Sequence, residues 1–375
     1  MTQLEEFRAL GLSDDMLAAI RTKGFETPSP IQKLVIPELL DPQKSNDMIA
    51  QAQTGTGKTA AFGLPLLERI HPEKGGSVQG LILVPTRELA LQVSEELLSF
   101  NAKRRLSITS IYGGASLSEQ LRRLKKGVDI VVGTPGRILD HLRRGTLHLE
   151  DLKFLVLDEA DEMLNMGFIE DIEEILACTN EERRILLFSA TMPKTIERLA
   201  ADLLNDPVRV AVEPVASVVD TIEQRLCYVE KPEKKQALIS ALKENDGRSV
   251  LVFSRTKHGA DRIARIVSKA GIGCDAIHGD KSQTARQRAL SKLKAGKTRV
   301  IVATDIAARG IDIDQLEMVI NYDLPDVAET YVHRIGRTGR AGHSGMALTF
   351  CASDERPMLA DIQKLTGKKL RVIAG

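Results

Sequence analysis

The stretch Ala52-Gln53-Thr54-Gly55-Thr56-Gly57-Lys58-Thr59 follows a short apolar run and leads into the helix-compatible Ala60, Ala61 and Phe62. Glycines here let backbone N–H groups turn inward on phosphate oxygens. Lys58 supplies a cation for β and γ phosphates, and the Thr59 hydroxyl can ligate Mg2+. Such a loop needs an acidic partner at the end of a buried strand, and Phe154-Leu155-Val156-Leu157-Asp158-Glu159-Ala160-Asp161 provides one. Asp158 would hold Mg2+ through its water shell, while Glu159 is placed to accept a proton from an attacking water, which a hydrolase needs and a mere nucleotide binder does not. A chance glycine turn and an exposed acidic strand end are the bland alternatives; the two motifs in one strand–loop–helix context weigh against both. The loop opens on Ala52 where the general pattern has glycine.

Asp158-Glu159-Ala160-Asp161 resembles the name-giving motif of the DEAD-box RNA helicases, and the rest of that family's motif set follows in order from Gly24 to Arg340. Gly24-Phe25-Glu26-Thr27-Pro28-Ser29-Pro30-Ile31-Gln32 is similar to the family's adenine-reading motif. The resemblance implies that Phe25, Thr27 and Gln32 bind ATP together with Thr54, Gly55, Thr56, Gly57, Lys58 and Thr59. It implies RNA contacts at Pro85, Thr86 and Arg87, at Gly113 and Gly114, and at Thr134, Pro135, Gly136 and Arg137. In the second half it implies RNA contacts at Arg255, Gly279, Gln283, Arg286 and Thr304. Hydroxyls, glycine N–H groups and single arginines suit phosphate and 2′-OH contacts, which position a strand without reading its bases. Read singly, most of these residues are ordinary turn and helix-cap residues.

Ser189-Ala190-Thr191 resembles the family's coupling motif, and its hydroxyls could bond Asp158 or Asp161 across adjacent strand ends. Asp312 is implied as a ribose partner. In His333-Arg334-Ile335-Gly336-Arg337-Thr338-Gly339-Arg340, His333, Arg337 and Arg340 would share one face if the stretch were helical, with Arg337 and Arg340 as arginine fingers on the transferring phosphoryl group. Without the family this run reads as a basic surface patch.

Parallel strands buried on both faces would position these groups. Runs at Asp47 to Ala50, Leu81 to Val84, Ile108 to Ile111, Ile130 to Val132, Phe154 to Leu157 and Ile185 to Phe188 are apolar rather than alternating, with helical spacing between them, as in Arg87 to Phe100. The rhythm restarts after Val212, with runs at Val250 to Phe253, Asp275 to Ile277, Val300 to Ala303, Met318 to Asn321 and Ala347 to Phe350. The expected fold class is α/β: two domains, each a mostly parallel sheet flanked by helices, which the resemblance makes tandem RecA-like domains over 1–212 and 221–375, joined by a linker at 213–220. The second half has no G-K-[ST], so it is no second nucleotide-binding copy. Asp41 to Asp47 departs from the family's short glycine turn, and the stretch after Arg340 has room for a strand and one helix but no auxiliary RNA-binding domain.

Composition removes other classes. With 52 basic against 51 acidic residues the net charge is +1, so any polyanion must be met by a local patch. The four cysteines are scattered without a C-x-x-C pair, against structural zinc or a disulfide framework and in favour of a reducing cytoplasm. No apolar stretch is long enough to span a membrane. The resemblance implies ATP and Mg2+ as cofactors and an RNA-dependent ATPase that unwinds or remodels RNA by domain closure. It implies single-stranded RNA and short duplexes as sequence-nonspecific partners, ribosomal or RNA-decay proteins as candidate protein partners, and a cytoplasmic monomer. An ATP-gated RNA clamp and a DNA translocase are the competing readings.

Overall fold

The computed structural model describes residues 4–53, 55–72, 76–101, 103–212, 222–308, 316–339 and 345–373 of the 375. Thr54, the expected linker, Asp312 and Arg340 lie outside the described residues. The chain divides into two compact units, Met1–Glu213 and Pro214–Gly375.

The first unit runs α1 (Glu5–Ala9), α2 (Asp14–Thr22), α3 (Pro30–Leu40), β1 (Met48–Gln51), α4 (Lys58–Arg69), β2 (Gly80–Leu83), α5 (Arg87–Phe100), β3 (Ile108–Ile111), α6 (Leu117–Leu124) and β4 (Ile130–Gly133). It continues through α7 (Pro135–Arg143), β5 (Phe154–Leu157), α8 (Ala160–Asn165), α9 (Ile169–Ala177), β6 (Arg184–Ser189), α10 (Lys194–Leu203) and β7 (Val208–Ala211). Its seven strands form one sheet in the order β3-β4-β2-β5-β6-β1-β7, with every pairing parallel. The strands are apolar throughout because neighbouring residues enter different cores. Ala50, Ile82, Val132, Val156 and Phe188 meet helices α1 to α5 on one face. Ile49, Leu81, Leu83, Val131, Leu155 and Leu187 meet helices α7 to α10 on the other. Edge strand β3 departs from this, carrying Thr109 and Ser110 between its isoleucines.

In the second unit, β8 (Ile222–Tyr228), β9 (Val250–Phe253), β10 (Cys274–Ile277), β11 (Val300–Ala303), β12 (Met318–Asn321), β13 (Gly345–Cys351) and β14 (Arg371–Ile373) repeat the same order, β10-β11-β9-β12-β13-β8-β14, again all parallel. Val250, Val252, Val300 and Val302 face one core; Leu251, Phe253, Ile301 and Ala303 face the other.

Two expectations need correction. The tail holds a second strand, β14, besides β13 and the helix Arg356–Thr366. The arginine-rich run is helical only through Ile335, the last residue of the helix Ala328–Ile335, so Arg337 lies in the turn beyond Gly336 rather than on a helix face with His333. The unusual loop before β1 folds as an Asx turn, with the Gln43 N–H donating to Asp41 Oδ1 at 2.9 Å.

Candidate functional site

Register determines what shares an edge. Gln51 lies opposite Ser189, Leu157 opposite both Leu83 and Leu187, and Gly133 opposite both Leu83 and Ile111. Every candidate motif after β1 to β6 therefore leaves the sheet at its carboxyl edge, where parallel α/β sheets bind ligands. β6 lies between β1 and β5, so Ser189-Ala190-Thr191 separates the phosphate loop from Asp158.

The loop after β1 is anchored by the Ala52 N–H donating to Ser189 O at 3.0 Å and by the Thr56 hydroxyl donating to Gln53 O at 2.7 Å. Gly57, immediately before α4, has φ of 88°, a left-handed conformation that favours glycine, and a Cβ there would lie 2.5 Å from Gln32 Nε2. Gln32 is buried. Its Nε2 donates to Gly57 O at 3.2 Å, and its Oε1 accepts from the Ser29 N–H at 2.9 Å, capping α3. It thus braces the loop, and each amide atom keeps one further hydrogen-bonding capacity for a base. Phe25 is half-buried, edge-on to Phe100 at 5.9 Å between centroids; Thr27 is exposed.

Lys58, the first residue of α4, is 6% exposed; its Nζ lies 4.0 Å from Asp158 Oδ1 and has no hydrogen-bond partner among the described residues. A buried ammonium in that condition is costly unless an anion completes its shell. Burial pushes the Asp158 carboxyl above its ordinary range; the Lys58 cation and the Glu159 N–H, which donates to Oδ1 at 3.0 Å, work against that rise. Glu159 turns the chain from β5 into α8 at φ 53°, a left-handed conformation that a side chain adopts at a cost of about 1 kcal/mol. Among the described residues no three His, Cys, Asp or Glu side chains gather as a metal cage. The Asp158 carboxylate and Thr59 hydroxyl, completed by water and phosphate oxygens, are the sparse donor set that suits Mg2+.

The hydroxyl link falls on Asp161 rather than Asp158. Its Oδ2 accepts from the Thr191 N–H at 2.9 Å and the Thr191 hydroxyl at 2.8 Å, while the Ser189 hydroxyl donates to Thr191 O at 2.7 Å.

The three segments expected to meet RNA in this unit are brought together. Thr86 caps α5, its hydroxyl accepting from the Leu89 N–H at 3.3 Å, and Pro85 beside it is buried. The Arg87 guanidinium packs on the glycine pair so closely that a Cβ on Gly114, where φ is 81°, would lie 2.2 Å from it. Thr134 and Pro135 start α7, with Gly136 exposed and Arg137 NH1 3.4 Å from Gln120 Oε1.

In the second unit Ser254 and Arg255 follow β9. The Arg255 guanidinium donates to Leu324 O at 3.0 Å and pairs with Asp326 at 3.2 Å and Glu355 at 3.6 Å. Gly279 is in open space after β10, and His278 Nε2 lies 3.1 Å from Asp261. Gln283 opens the helix Gln283–Lys294, in which Arg286 donates to Ala307 O at 3.3 Å; Thr304 follows β11 and accepts from the Ala307 and Ala308 N–H groups through its carbonyl. Arg337 donates through Nε to His333 O at 3.3 Å.

Sequence reasoning missed two organising residues here. Arg334, 1% exposed, forks onto Asp305 at 2.6 and 2.8 Å, donates to Asp323 O at 2.6 Å and lies 4.9 Å from the Phe253 ring centroid. Nothing in its spacing separates it from Arg337. Asp323 Oδ2 accepts from the Ser254 hydroxyl at 3.2 Å and the Arg255 N–H at 3.0 Å. Its position just past an apolar run is the signal that singled out Asp158, and it could have been found the same way.

Residues 29–199 match the DEAD/DEAH box helicase family and residues 233–342 the helicase conserved C-terminal domain. The chain is 48% identical over 364 residues to the DEAD-box ATP-dependent RNA helicase CshA of Geobacillus kaustophilus, covering 97% of this chain and 77% of that protein. It is 47% identical to CshA of Bacillus subtilis, covering 97% of this chain and 73% of that one. Among solved structures, S. cerevisiae Dbp5 bound to RNA and ADP BeF3 superposes with a TM-score of 0.90 at 32% identity, over 98% of this chain and 95% of that one. Mss116p bound to single-stranded RNA and AMP-PNP superposes with a TM-score of 0.88 at 27% identity, over 100% of this chain and 80% of that one. With its phosphate loop, acidic strand end and hydroxyl link in place on one sheet edge, the chain belongs to the DEAD-box family of ATP-dependent RNA helicases.

Proposed function

We propose that this chain is an RNA-dependent ATPase that unwinds or remodels short RNA duplexes by ATP-driven closure of its two domains. The observation that carries this reading is the buried Lys58 ammonium, unpartnered but for Asp158 at 4.0 Å, at the mouth of a loop braced by Gln32. The β and γ phosphates of ATP supply the anion it lacks. Bound Mg2+, held by Asp158 through water and by the Thr59 hydroxyl, would neutralise phosphate charge.

Gln32 offers its remaining hydrogen and lone pair to the adenine edge, with Phe25 beside the ring. Glu159 accepts the proton of the attacking water, and its fixed left-handed turn aims the carboxylate. Arg337 and Arg340 contribute from the second domain, so turnover depends on closure. Arg87, Gly113, Gly114 and Arg137 of the first domain, with Arg255, Gly279, Gln283, Arg286 and Thr304 of the second, grip sugar and phosphate. Asp312 binds the ribose of ATP.

RNA recognition through the backbone makes binding sequence-nonspecific. We read the working form as a cytoplasmic monomer with ribosomal or RNA-decay proteins as partners; among the described residues no helix is long and apolar enough to cross a membrane. The test is displacement of a labelled strand from a short RNA duplex. Release with ATP and retention without it is the expected result; retention with ATP alongside undiminished ATP turnover would overturn the unwinding assignment.

A further inference from the structure

Helix α6 exposes Ser118, Glu119, Arg122 and Arg123 and leaves its three leucines half-buried, yet Gln120 in its middle is buried at 4% exposure. A primary amide in such a place is tolerated only if its polar atoms are paired. Gln120 meets that condition with three partners on two other elements. Its Nε2 donates to Tyr112 O at 3.0 Å, at the residue just before Gly113 and Gly114. Its Oε1 lies 3.4 Å from Arg137 NH1, at the start of α7, and 3.1 Å from Nε2 of the fully buried His141, one helical turn further on. The other ring nitrogen of His141 is held by the Thr146 hydroxyl at 2.9 Å, so the ring cannot swing away from Gln120. Arg87 closes the cluster by packing on Gly114.

We infer that Gln120 is a positioning residue for RNA, a strut that fixes Arg137 and the Gly113-Gly114 turn at one spacing so that both meet the same backbone. The inference rests on the reading of Arg137 and the glycine pair as RNA contacts. An arginine held by a buried partner has its rotamer chosen before RNA arrives. Without the strut the side chain must be ordered on binding, and the loss appears as RNA affinity rather than as catalytic rate.

The experiment uses the full chain with three variants: Gln120→Met, which keeps the volume and removes all three polar contacts, Arg137→Ala, and the two combined. Half-saturating RNA and maximal rate in RNA-stimulated ATP hydrolysis are measured over a salt series, with fluorescent ATP-analogue binding and thermal unfolding as checks on the fold. Gln120→Met raises half-saturating RNA about five- to tenfold, the cost of ordering one long side chain. It leaves the maximal rate within about twofold and the salt dependence nearly unchanged, because the phosphate contact is kept once the side chain is ordered, whereas Arg137→Ala flattens that dependence by about one ion. Adding Arg137→Ala to Gln120→Met costs much less than Arg137→Ala alone. Full multiplication of the two effects, or an unchanged half-saturation in Gln120→Met where Arg137→Ala raises it, overturns the inference. A silent Arg137→Ala overturns the RNA reading of Arg137 itself and the strut with it. If Gln120→Met does not fold, Gln120→Glu replaces it, keeping the acceptor facing Arg137 while losing the donor to Tyr112 O: a rise in half-saturation well below that of Arg137→Ala then supports the strut, and a loss equal to that of Arg137→Ala contradicts it.

Discussion

Glu159 adopts a backbone conformation that disfavours side chains, between a buried strand end and a short helix, and its neighbour Asp158 holds a carboxyl whose protonation burial favours and Lys58 opposes. Two adjacent acidic residues are thereby held in different environments. Glu159→Gln keeps shape and most hydrogen bonds but cannot take a proton, so steady-state turnover falls about 10²- to 10⁴-fold while ATP binding persists. Radiolabelled hydrolysis paired with nucleotide titration checks this; normal turnover would remove Glu159 from the chemistry. Burial, followed by the nearby Arg137 charge, holds the pKa of His141 below the ordinary histidine value. Below about pH 6.5 the unfolded chain takes up a proton that the folded one refuses, so stability is intact above that pH and falls as pH drops through it. Urea unfolding at pH 7.5 and 5.5 is expected to show a larger loss for the native chain than for His141→Asn. The acidic pair Asp158 and Glu159 was legible as a buried strand end because it closes an apolar run. Gln120 and Arg334 were not, since burial of a polar residue depends on what faces it from distant segments.

At the scale of elements, strands such as Val250–Phe253 and Val300–Ala303 were readable because burial on both faces leaves no position for a polar residue. β14 escaped because three residues at a sheet edge, two of them exposed, carry no period. The arginine-rich run is helical only as far as Ile335: Gly336 follows, and Arg337 sits in the turn beyond. In the second unit, Lys234 is 2% exposed and donates to Glu355 Oε2 at 2.7 Å and to Tyr322 O at 2.8 Å, tying the helix Lys234–Glu244 to the ends of β12 and β13. Lys234→Met leaves the Glu355 charge buried without its main partner, at a cost of about 3 kcal/mol in urea unfolding. Adding Glu355→Gln should recover part of that loss. A change below about 0.5 kcal/mol for Lys234→Met would mean the pair is not what joins these elements.

For the whole molecule, two sheets of identical strand order carry different chemistry on their carboxyl edges: phosphate loop, acidic strand end and hydroxyl link on the first, arginines on the second. The repeated α/β rhythm showed this much from sequence. Thr191→Val removes one of two bonds to Asp161 and keeps the backbone one. A hydrogen bond to a carboxylate is worth about 1.5–3 kcal/mol. If that link transmits the ATP state, strand displacement per ATP falls by about tenfold or more with turnover nearly kept; equal losses in both would assign Thr191 to the ATP site alone. The central claim, that RNA gripped by its backbone triggers hydrolysis, is tested most directly by steady-state ATP turnover alone, with single-stranded RNA and with matched DNA, at two salt concentrations. Stimulation by RNA only, weakening steeply at the higher salt, is the predicted result; equal stimulation by DNA, or none by either, would contradict it.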